Sequence, residues 1–334
     1  MRVNIIGGGL AGCALAYVLK QADFEPVIYE AGNSIAGGTS GHDVGLYNPR
    51  FLAAYDEVAQ FYTMAFQEAL GVFETLSDDI DWRPCGAMHL INTEQKEKRF
   101  AKMAKAWPDD TIEMQILARD EASAICGIPL EFDALYLPRS GAVSPKKLCE
   151  AYVQDVEVHL NARCDGLSEG VSVLACGMGC LAFDEFKSLP LKPIRGQITF
   201  IEETDVSRQL NTTIGYGGYI APSLNGVHCL GSSFERKVNS DDIKSADNLF
   251  NISKLCQSVN FLSGDYSVQN ARAGVRVSSP DYCPIIGQLN EGVYVSTAHG
   301  SHGILSSLGA AKLLCDLIAR SVDVPSVFSP HRFD

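Results

Sequence analysis

One glycine-rich turn near the start of the chain limits its fold more than any other segment. Residues 2–6 form a short apolar run with β-branched side chains, which predicts a strand, and Gly7 ends that run. From Leu10 onward the apolar residues recur at helical spacing, and residues 26–30 predict a second strand. Strand, turn, helix and strand within about 30 residues make a βαβ unit, whose two strands should be parallel.

The glycines of this turn follow the pattern G-x-G-x-x-G, which in this context is typical of a dinucleotide site. Gly7 permits the tight turn, Gly9 lets the backbone approach a pyrophosphate, and Gly12 allows the helix to pack closely on the strand. The amino end of the helix offers free N–H groups and partial positive charge to the phosphates. Glu30 ends the second strand, about 20 residues further on, where it can accept from the ribose 2′-hydroxyl. This unit alone does not decide between NAD and FAD.

Two further glycine-containing loops favour FAD. Residues 37–41, Gly-Gly-Thr-Ser-Gly, are small, which suits a cofactor that runs deep into the protein. Residues 300–303, Gly-Ser-His-Gly, directly precede a long helical pattern. Main-chain N–H groups and a helix dipole at that position suit the N1/C2=O edge of a flavin, which becomes anionic on reduction.

The remaining segments alternate between helical and strand-like patterns. A long amphipathic helix is predicted with its buried side formed by Val58, Phe61, Tyr62, Ala65, Phe66, Ala69, Val72, Phe73 and Leu76. Further helices are predicted at 94–106, from the N-cap Ser144 with Pro145 at the first position to about 153, at 240–258 and through 305–318, and strands at 156–160, 171–175, within 194–234 and at 293–296. No repeat or flexible linker separates these patterns, which favours two interleaved domains over two separate ones.

Composition excludes several classes of function. Hydrophobic residues make up 46% and charged residues 20% of the 334, as in an ordinary globular enzyme. The net charge of −13 means that binding of nucleic acid would need a local basic patch. The eleven cysteines contain no CxxC pair and no metal-ligand spacing, so we expect buried thiols in a reducing cytoplasm and no metal site. Glycines interrupt the first apolar run, and no apolar stretch is long enough for a membrane span of about 20 residues.

Several segments, taken in chain order, extend the similarity beyond these loops: IIGGGLAGCALA, GGTSG, GVSVLACG, PIRGQI, GYIAP followed by GSSFE, AGVRVSSPDYCPIIG and HGSHGIL. Through them the chain resembles the D-amino-acid-oxidase/glycine-oxidase family of FAD-dependent oxidoreductases over most of its length. Within that family it is most similar to the oxidase domains of bifunctional tRNA-modifying proteins, and residues 41–49, 216–222 and 298–303 carry this finer similarity.

The resemblance implies an α/β plus α+β architecture. A Rossmann-like FAD-binding domain, of the second subfamily of the glutathione-reductase type, would be interleaved with an antiparallel-sheet substrate domain. Residues 1–48, 140–190 and 272–334 would form the discontinuous FAD-binding domain, and residues 49–139 and 191–271 the substrate domain.

The resemblance also implies a reaction and its residues. Family members oxidise the carbon beside an amine by hydride transfer to flavin N5, and the tRNA-modifying branch thereby removes a carboxymethyl group from the wobble uridine. Arg276 matches the position that binds the substrate carboxylate, and Tyr219 matches a tyrosine on the substrate side. His302 stands where the tRNA-modifying branch usually has arginine, so it contacts the flavin or the substrate, or else caps a loop; His299 is left without a role. Arg195 is predicted to lie in a structural turn.

The residues expected to contact the cofactor come from five segments of the chain. They are Gly7, Gly9, Leu10, Ala11, Gly12, Glu30, Ala31, Gly38, Thr39, Ser40, Cys176, Gly177, Gly300, Ser301, His302, Gly303 and Ile304. Asp281 and Pro284 match a loop near the flavin, in an architectural role.

Three hypotheses follow: an oxidase of the tRNA wobble-uridine type, an oxidase or dehydrogenase of small amino acids or secondary amines, and a flavin-binding partner protein without turnover. Clustered Lys and Arg side chains around the mouth of the pocket would favour tRNA, and a closed, narrow pocket would favour a small amine. An Arg276 side chain turned away from the flavin would favour the third. The electron acceptor, covalent attachment of the flavin and the oligomeric state are not predicted.

Overall fold

The computed structural model describes residues 1–108, 111–164, 166–167, 170–187 and 189–334. Its strands, numbered in chain order, are β1 (Arg2–Ile6), β2 (Glu25–Tyr29), β3 (Gly45–Tyr47), β4 (Ala87–Leu90), β5 (Gln115–Leu117), β6 (Ala134–Leu137), β7 (Gly141–Val143), β8 (Glu157–His159), β9 (Val171–Leu174), β10 (Lys192–Glu202), β11 (Thr213–Gly215), β12 (Tyr219–Ile220), β13 (Val227–Gly231), β14 (Glu235–Arg236), β15 (Val268–Ser278), β16 (Ile285–Asn290) and β17 (Val293–Thr297). Its α-helices are α1 (Leu10–Gln21), α2 (Glu57–Thr75), α3 (Glu94–Ala106), α4 (Arg119–Cys126), α5 (Pro145–Tyr152), α6 (Ser245–Ser258) and α7 (Gly303–Arg320).

The first sheet is built around the predicted βαβ unit. Its strand order is β16-β17-β9-β1-β2-β8, and β1 pairs in parallel with both β2 and β9. Strand β17 continues the parallel arrangement beside β9, whereas β16 returns antiparallel to β17. The carboxyl ends of β1, β2, β9 and β17 therefore meet at one edge, which is where α/β sheets of this kind bind ligands.

Helices α1, α2 and α7 cover this sheet and form its main core. Helix α1 packs on α7, and α7 packs on α2. Most of the predicted apolar side of α2 is buried, from Val58 to Phe73, and the side chain of Asp56 caps the helix by accepting from the Ala59 N–H at 3.0 Å. Leu76 lies just beyond the end of the helix. Ser144 and Pro145 start α5 as predicted, with the Ser144 hydroxyl accepting from the Lys147 N–H.

The second sheet has nine strands in the order β14-β10-β13-β12-β11-β4-β6-β5, with β15 paired to β10. Its pairs are antiparallel except for β4 and β11, which run parallel. The paired strands β10 and β15 include residue 272, at which the sequence predicts a domain boundary. The division into domains stays a prediction. None of the described helices combines the length and the apolar character that a membrane crossing requires.

Candidate active site: a cavity between the two sheets

A cavity of about 1080 Å³ lies between the carboxyl edge of the first sheet and one face of the second. It reaches from Glu30, at the end of β2, to Lys254 on α6. Cavities that hold drug-sized ligands measure about 300–1,000 Å³, so this one has room for a dinucleotide and a substrate together.

The glycine turn forms the floor of this cavity at one end. Gly7 has a positive φ of 110°, and a Cβ there would lie 2.7 Å from the Ala175 carbonyl oxygen. A Cβ at Gly12 would overlap the Gly7 carbonyl oxygen, so this glycine holds α1 against β1. Gly9 faces the cavity, and a Cβ there would approach only the Ser40 hydroxyl, at 3.2 Å. The tight turn at Gly7, the open backbone at Gly9 and the close helix contact at Gly12 have the geometry that a pyrophosphate cradle needs, and their role in cofactor binding stays a prediction.

The carboxylate of Glu30 is fixed in position beside the glycine turn. It accepts hydrogen bonds from the Gly8 and Gly32 N–H groups, both at 2.7 Å. The Ser40 hydroxyl accepts from the Leu10 N–H at 3.0 Å, in the first turn of α1. A hydroxyl-rich and amide-rich surface at a helix amino end is suited to phosphate and ribose groups.

Strand β15 holds the loop of residues 37–41 beside this cradle. The Arg272 guanidinium donates to the carbonyl oxygens of Gly37 and Gly38, at 2.9 and 2.8 Å. The Thr39 hydroxyl donates to the Val275 carbonyl oxygen at 2.8 Å. The loop that favours FAD in the sequence is thus attached to a strand of the second sheet.

The amino end of α7 forms the other end of the cofactor surface. Residues 296–304 all line the cavity, and His302 occupies the N-cap position of α7. The His302 side chain makes no capping hydrogen bond, so the alternative that it caps the loop has no support in this geometry; its ring contacts that of Tyr62 at a centroid distance of 5.4 Å. The His299 ring bridges the hydroxyls of Ser296 and Ser306, at 3.1 and 3.0 Å.

With the exception of Gly12, every residue predicted to contact the cofactor lines the cavity. Gly12 acts behind it, through its contact with Gly7. Two helix amino ends, a fixed carboxylate and a bare glycine backbone fit the ribose, the pyrophosphate and the flavin edge of FAD. The assignment of individual residues to cofactor atoms remains a proposal.

Arg276 lies on β15 and lines the substrate side of the same cavity. Its guanidinium donates to the Ser232 hydroxyl at 3.2 Å and to the Ser233 carbonyl oxygen at 3.4 Å, and it lies over the Phe234 ring. Its Nε has no hydrogen-bond partner in the described structure, and burial lowers its pKa from the usual value. A Cβ at Gly196 on β10 would overlap the guanidinium, so this glycine makes the space that Arg276 occupies.

Other residues singled out in the sequence have structural positions. The Tyr219 ring lines the cavity, while its hydroxyl donates to the Val44 carbonyl oxygen at 3.4 Å, and burial raises its pKa. The predicted turn at Arg195 is wrong: this residue lies in the middle of β10, fully buried, and pairs with Glu235 and Asp247 at 2.9 and 2.5 Å. Asp281 pairs with Arg332 at 2.8 Å.

Several charged or titratable residues line the cavity without having been identified in the sequence. They are His42, His89, Lys96, Arg99, Arg163 and Lys254. His42 lies in the segment 41–49 that carries the finer family similarity, and the other five stand in no motif. They come from separate loops, strands and helices, so only the fold brings them together. The Lys-rich pattern of α3 is visible in the sequence, but such a pattern is equally typical of a solvent-exposed helix and does not indicate a cavity wall.

Four cavity-lining histidines are uncharged at neutral pH. Burial is the main cause in each case and lowers the pKa to about 4 for His42, His299 and His302 and to about 3 for His89. Nearby arginines contribute at three of them, among them Arg276, which lowers the pKa of both His42 and His302. Neutral imidazoles can donate and accept hydrogen bonds here without adding positive charge beside a substrate amine.

These pKa values predict acid sensitivity of the apoprotein. In the unfolded chain the same histidines titrate near 6.5, so the unfolded state binds more protons between about pH 4 and about pH 6.5. Stability is therefore present above this window and is lost as the pH falls through it, by up to about 1.4 kcal/mol per pH unit for each histidine.

Urea unfolding between about pH 7 and about pH 5 measures this dependence. We expect His299→Gln to make the pH dependence of the unfolding free energy shallower than in the wild type. His331→Gln, at an exposed position, is the matched control and should leave the slope in place. An unchanged slope in His299→Gln would contradict the assignment of His299 as a buried neutral group.

Comparison with protein-family models identifies one family over nearly the whole chain. The model described as DAO, FAD dependent oxidoreductase, matches residues 2–317. Among curated proteins, the tRNA 5-methylaminomethyl-2-thiouridine biosynthesis bifunctional protein MnmC of Pseudomonas fluorescens (strain Pf0-1) is 30% identical over 368 residues, covering 94% of this chain and 55% of that protein. The same-named protein of Idiomarina loihiensis is 27% identical, with 95% and 55% covered. The chain thus spans about half the length of these curated relatives.

Solved structures show the same fold at lower identity. Glycine oxidase from Geobacillus kaustophilus superposes with a TM-score of 0.82 at 19% identity, covering 100% of this chain and 98% of that chain. L-proline dehydrogenase from P. horikoshii gives 0.84 at 15% identity, with 99% and 97% covered, and iminodiacetate oxidase from Chelativorans sp. BNC1 gives 0.78 at 18%, with 98% and 99% covered. The predicted fold class is confirmed.

Proposed function

The chain belongs to the DAO family of FAD-dependent oxidoreductases, and on that premise we propose that it oxidises a C–N bond of a carboxylate-bearing amine, with the carboxylate bound by Arg276. The observation that carries this proposal is a partly buried guanidinium that lines the cavity, with a buried Nε that has no hydrogen-bond partner and no carboxylate partner among the described residues. A partly buried cation left in this state is stabilised when an anion binds to it. An α-amino carboxylate or an N-alkyl glycine supplies such an anion one carbon away from the amine.

The residues around Arg276 support this role. The flavin, when bound, supplies a hydride acceptor for the carbon beside the amine nitrogen. Oxidation of that carbon leaves an imine, which water hydrolyses. Arg276 fixes the carboxylate and hence the orientation of the neighbouring carbon, which is the main requirement of a reaction governed by alignment. The neutral rings of His42 and His302, together with burial and the Arg276 charge, favour the neutral form of the amine, which can release hydride.

For the substrate we propose the carboxymethylaminomethyl group of a tRNA wobble uridine. The curated relatives that the chain matches at up to 30% identity over more than nine tenths of its length carry tRNA 5-methylaminomethyl-2-thiouridine biosynthesis in their names. The group has the required chemistry, since its carboxylate and its secondary amine share one methylene carbon. A free amino acid or secondary amine is the second candidate, and the net charge of −13 is the observation that favours it.

The third hypothesis, a flavin-binding partner without turnover, would be favoured by an Arg276 side chain turned away from the flavin. Arg276 lines the cavity instead. This geometry favours the two catalytic candidates.

Anaerobic bleaching of the flavin absorbance tests the proposal with the purified holoenzyme. The panel contains amino acids, N-alkyl glycines, the corresponding amines without a carboxylate, and tRNA that carries carboxymethylaminomethyluridine. We expect bleaching by the modified tRNA and by N-alkyl glycines, and none by the amines without a carboxylate. If only free amines or amino acids bleach the flavin, the second candidate replaces the first. If no carboxylate-bearing compound does, the proposed function is wrong.

A further inference from the structure

Helices α3 and α6 contribute three cations and an aromatic ring to the wall of the cavity. We define the mouth cluster as Lys96, Arg99, Lys254 and Phe250, all of which line the cavity. Arg99 is exposed and half of the Phe250 surface is exposed, so the cluster faces both the cavity and the solvent. The Lys254 ammonium lies 5.6 Å from the centre of the Phe250 ring.

The three cations have no acidic partners within the described parts of the chain. Lys96 donates to neutral acceptors, the Leu90 carbonyl oxygen at 2.9 Å and the Asn92 side-chain oxygen at 2.7 Å. Lys254 donates to the Gly217 carbonyl oxygen at 2.5 Å. Burial and the charges of Arg99 and Lys254 lower the pKa of Lys96 to about 8. Three cations that line one cavity without an acidic partner among the described residues, two of which lower the pKa of the third, make a site that an anion would stabilise.

The charge of the cavity wall is opposite to that of the molecule. Among the described residues that line the cavity, five are basic and one, Glu30, is acidic. The whole chain has 40 acidic and 27 basic residues. The net charge of the chain repels a polyanion on average, whereas the basic residues of the cavity wall attract it.

We propose that the mouth cluster binds the backbone phosphates of a single-stranded RNA loop and stacks one of its bases on Phe250, while the modified nucleoside enters the cavity. This inference rests on the proposed function, because the reacting group must reach Arg276 at the same time. Proteins that bind single-stranded nucleic acid combine cations along the backbone path with aromatic rings under the bases. The basic patch that the composition of the chain requires for RNA is thus located at this opening.

The exposed ring of Phe250 distinguishes between two possible ligands of the mouth cluster, an RNA loop and a small dicarboxylate. A second carboxylate of a small substrate would need a cation but no aromatic surface outside the cavity. Phe250 is 50% exposed on α6, although an apolar ring of that size is usually buried. Cations on α3 and α6 next to one exposed aromatic ring are suited to a backbone phosphate followed by a base.

Binding of a fluorescein-labelled RNA hairpin with a loop of about seven nucleotides, followed by fluorescence anisotropy, tests the proposal on the holoenzyme. We expect the double variant Arg99→Gln/Lys254→Gln to weaken binding at least about tenfold, and the slope of log K against log salt to become shallower by about 0.7 for each cation removed. Phe250→Ala should weaken binding by about tenfold through loss of stacking.

Two matched controls lie on the same helices but outside the cavity. Lys98→Gln removes the same charge from α3, and Leu249→Ala truncates an apolar residue of α6 that is 70% exposed. Neither should change RNA binding, and the visible flavin spectrum of each variant shows whether it is folded.

The outcomes separate this inference from the proposed function. If the wild type binds no RNA, or the double variant binds it as well as the controls do, while N-alkyl glycine still bleaches the flavin, the mouth inference is wrong and the proposed function stands. In a second outcome, RNA binding depends on the mouth cluster but no carboxylate-bearing amine bleaches the flavin. That outcome would support the inference and overturn the proposed function. If the double variant changes only the iminodiacetate concentration needed for bleaching, the cluster holds a second carboxylate and the inference is wrong.

Discussion

Arg276→Ala is expected to lower kcat/KM for carboxylate-bearing amines by about two to three orders of magnitude while the protein keeps its yellow colour. Removal of one partner of a buried charge pair costs about 2–5 kcal/mol, and each 1.4 kcal/mol is tenfold. The loss should be specific to carboxylates, because in the proposed function Arg276 binds the substrate carboxylate and not the cofactor. Anaerobic rates of flavin bleaching measure the effect.

Two further variants make this result decisive. Arg276→Lys keeps the charge but loses the planar fork, so it should restore part of the rate and little of the preference for a carboxylate. Arg236→Ala is the matched control, since Arg236 also lies over Phe234, with 5.8 Å to the ring centre, but does not line the cavity. Unchanged kcat/KM in Arg276→Ala would remove this residue from the site and would leave the proposed function without its anchor.

Gly9→Ala is expected to weaken FAD binding by about tenfold to a hundredfold, because an added methyl group would lie where the pyrophosphate must approach the backbone. The fold should tolerate the change. Gly9 has an ordinary φ of −88°, and the only described atom near the new Cβ is the Ser40 hydroxyl oxygen, at 3.2 Å. Titration of the apoprotein with FAD, followed by flavin fluorescence, measures the loss.

A glycine elsewhere provides the control for Gly9→Ala. Gly71 lies inside α2 with no atom within 4 Å of an added Cβ. Gly71→Ala should raise the free energy of unfolding by about 0.5–1 kcal/mol and leave FAD binding as it is. Equal FAD affinity in Gly9→Ala and the wild type would show that no diphosphate lies against the amino end of α1.

The parts of the fold that follow from local pattern were predictable from the sequence. The strand, turn and helix from Arg2 to Gln21 are confirmed, as is the parallel pairing of β1 with β2. So are α3 and the start of α5, because charge pattern and capping residues act within a few positions of each other. The matching of residues 2–317 to the family confirms the resemblance that the motifs indicate.

What depends on distant contacts was not predictable. Arg195 is predicted to lie in a structural turn, but it is a buried strand residue whose partners, Glu235 and Asp247, come 40 and 52 positions later. The helix expected from residue 240 begins only at Ser245. One reason is that the Asp242 carbonyl oxygen accepts from the Arg195 guanidinium and is not available to a helix.

The substrate side of the cavity shows the same limit. His89 stands on β4, Lys96 on α3 and Lys254 on α6, and nothing in their local sequence relates them. The pairing of β4 with β11, and the packing of α6 on the second sheet, bring them to one opening. Their joint role is a property of the three-dimensional arrangement alone.

Strand β15 connects the loop of residues 37–41 to Arg276 on the substrate side of the cavity. It holds the loop of residues 37–41 through Arg272 and Val275, and the next residue along the strand is Arg276, which lines the cavity. In the proposed function, a single span of extended backbone therefore fixes the distance between the cofactor loop and the group that binds the substrate carboxylate. Without the cofactor the loop of residues 37–41 lacks one of its contacts, so we expect substrate affinity to depend on prior binding of flavin.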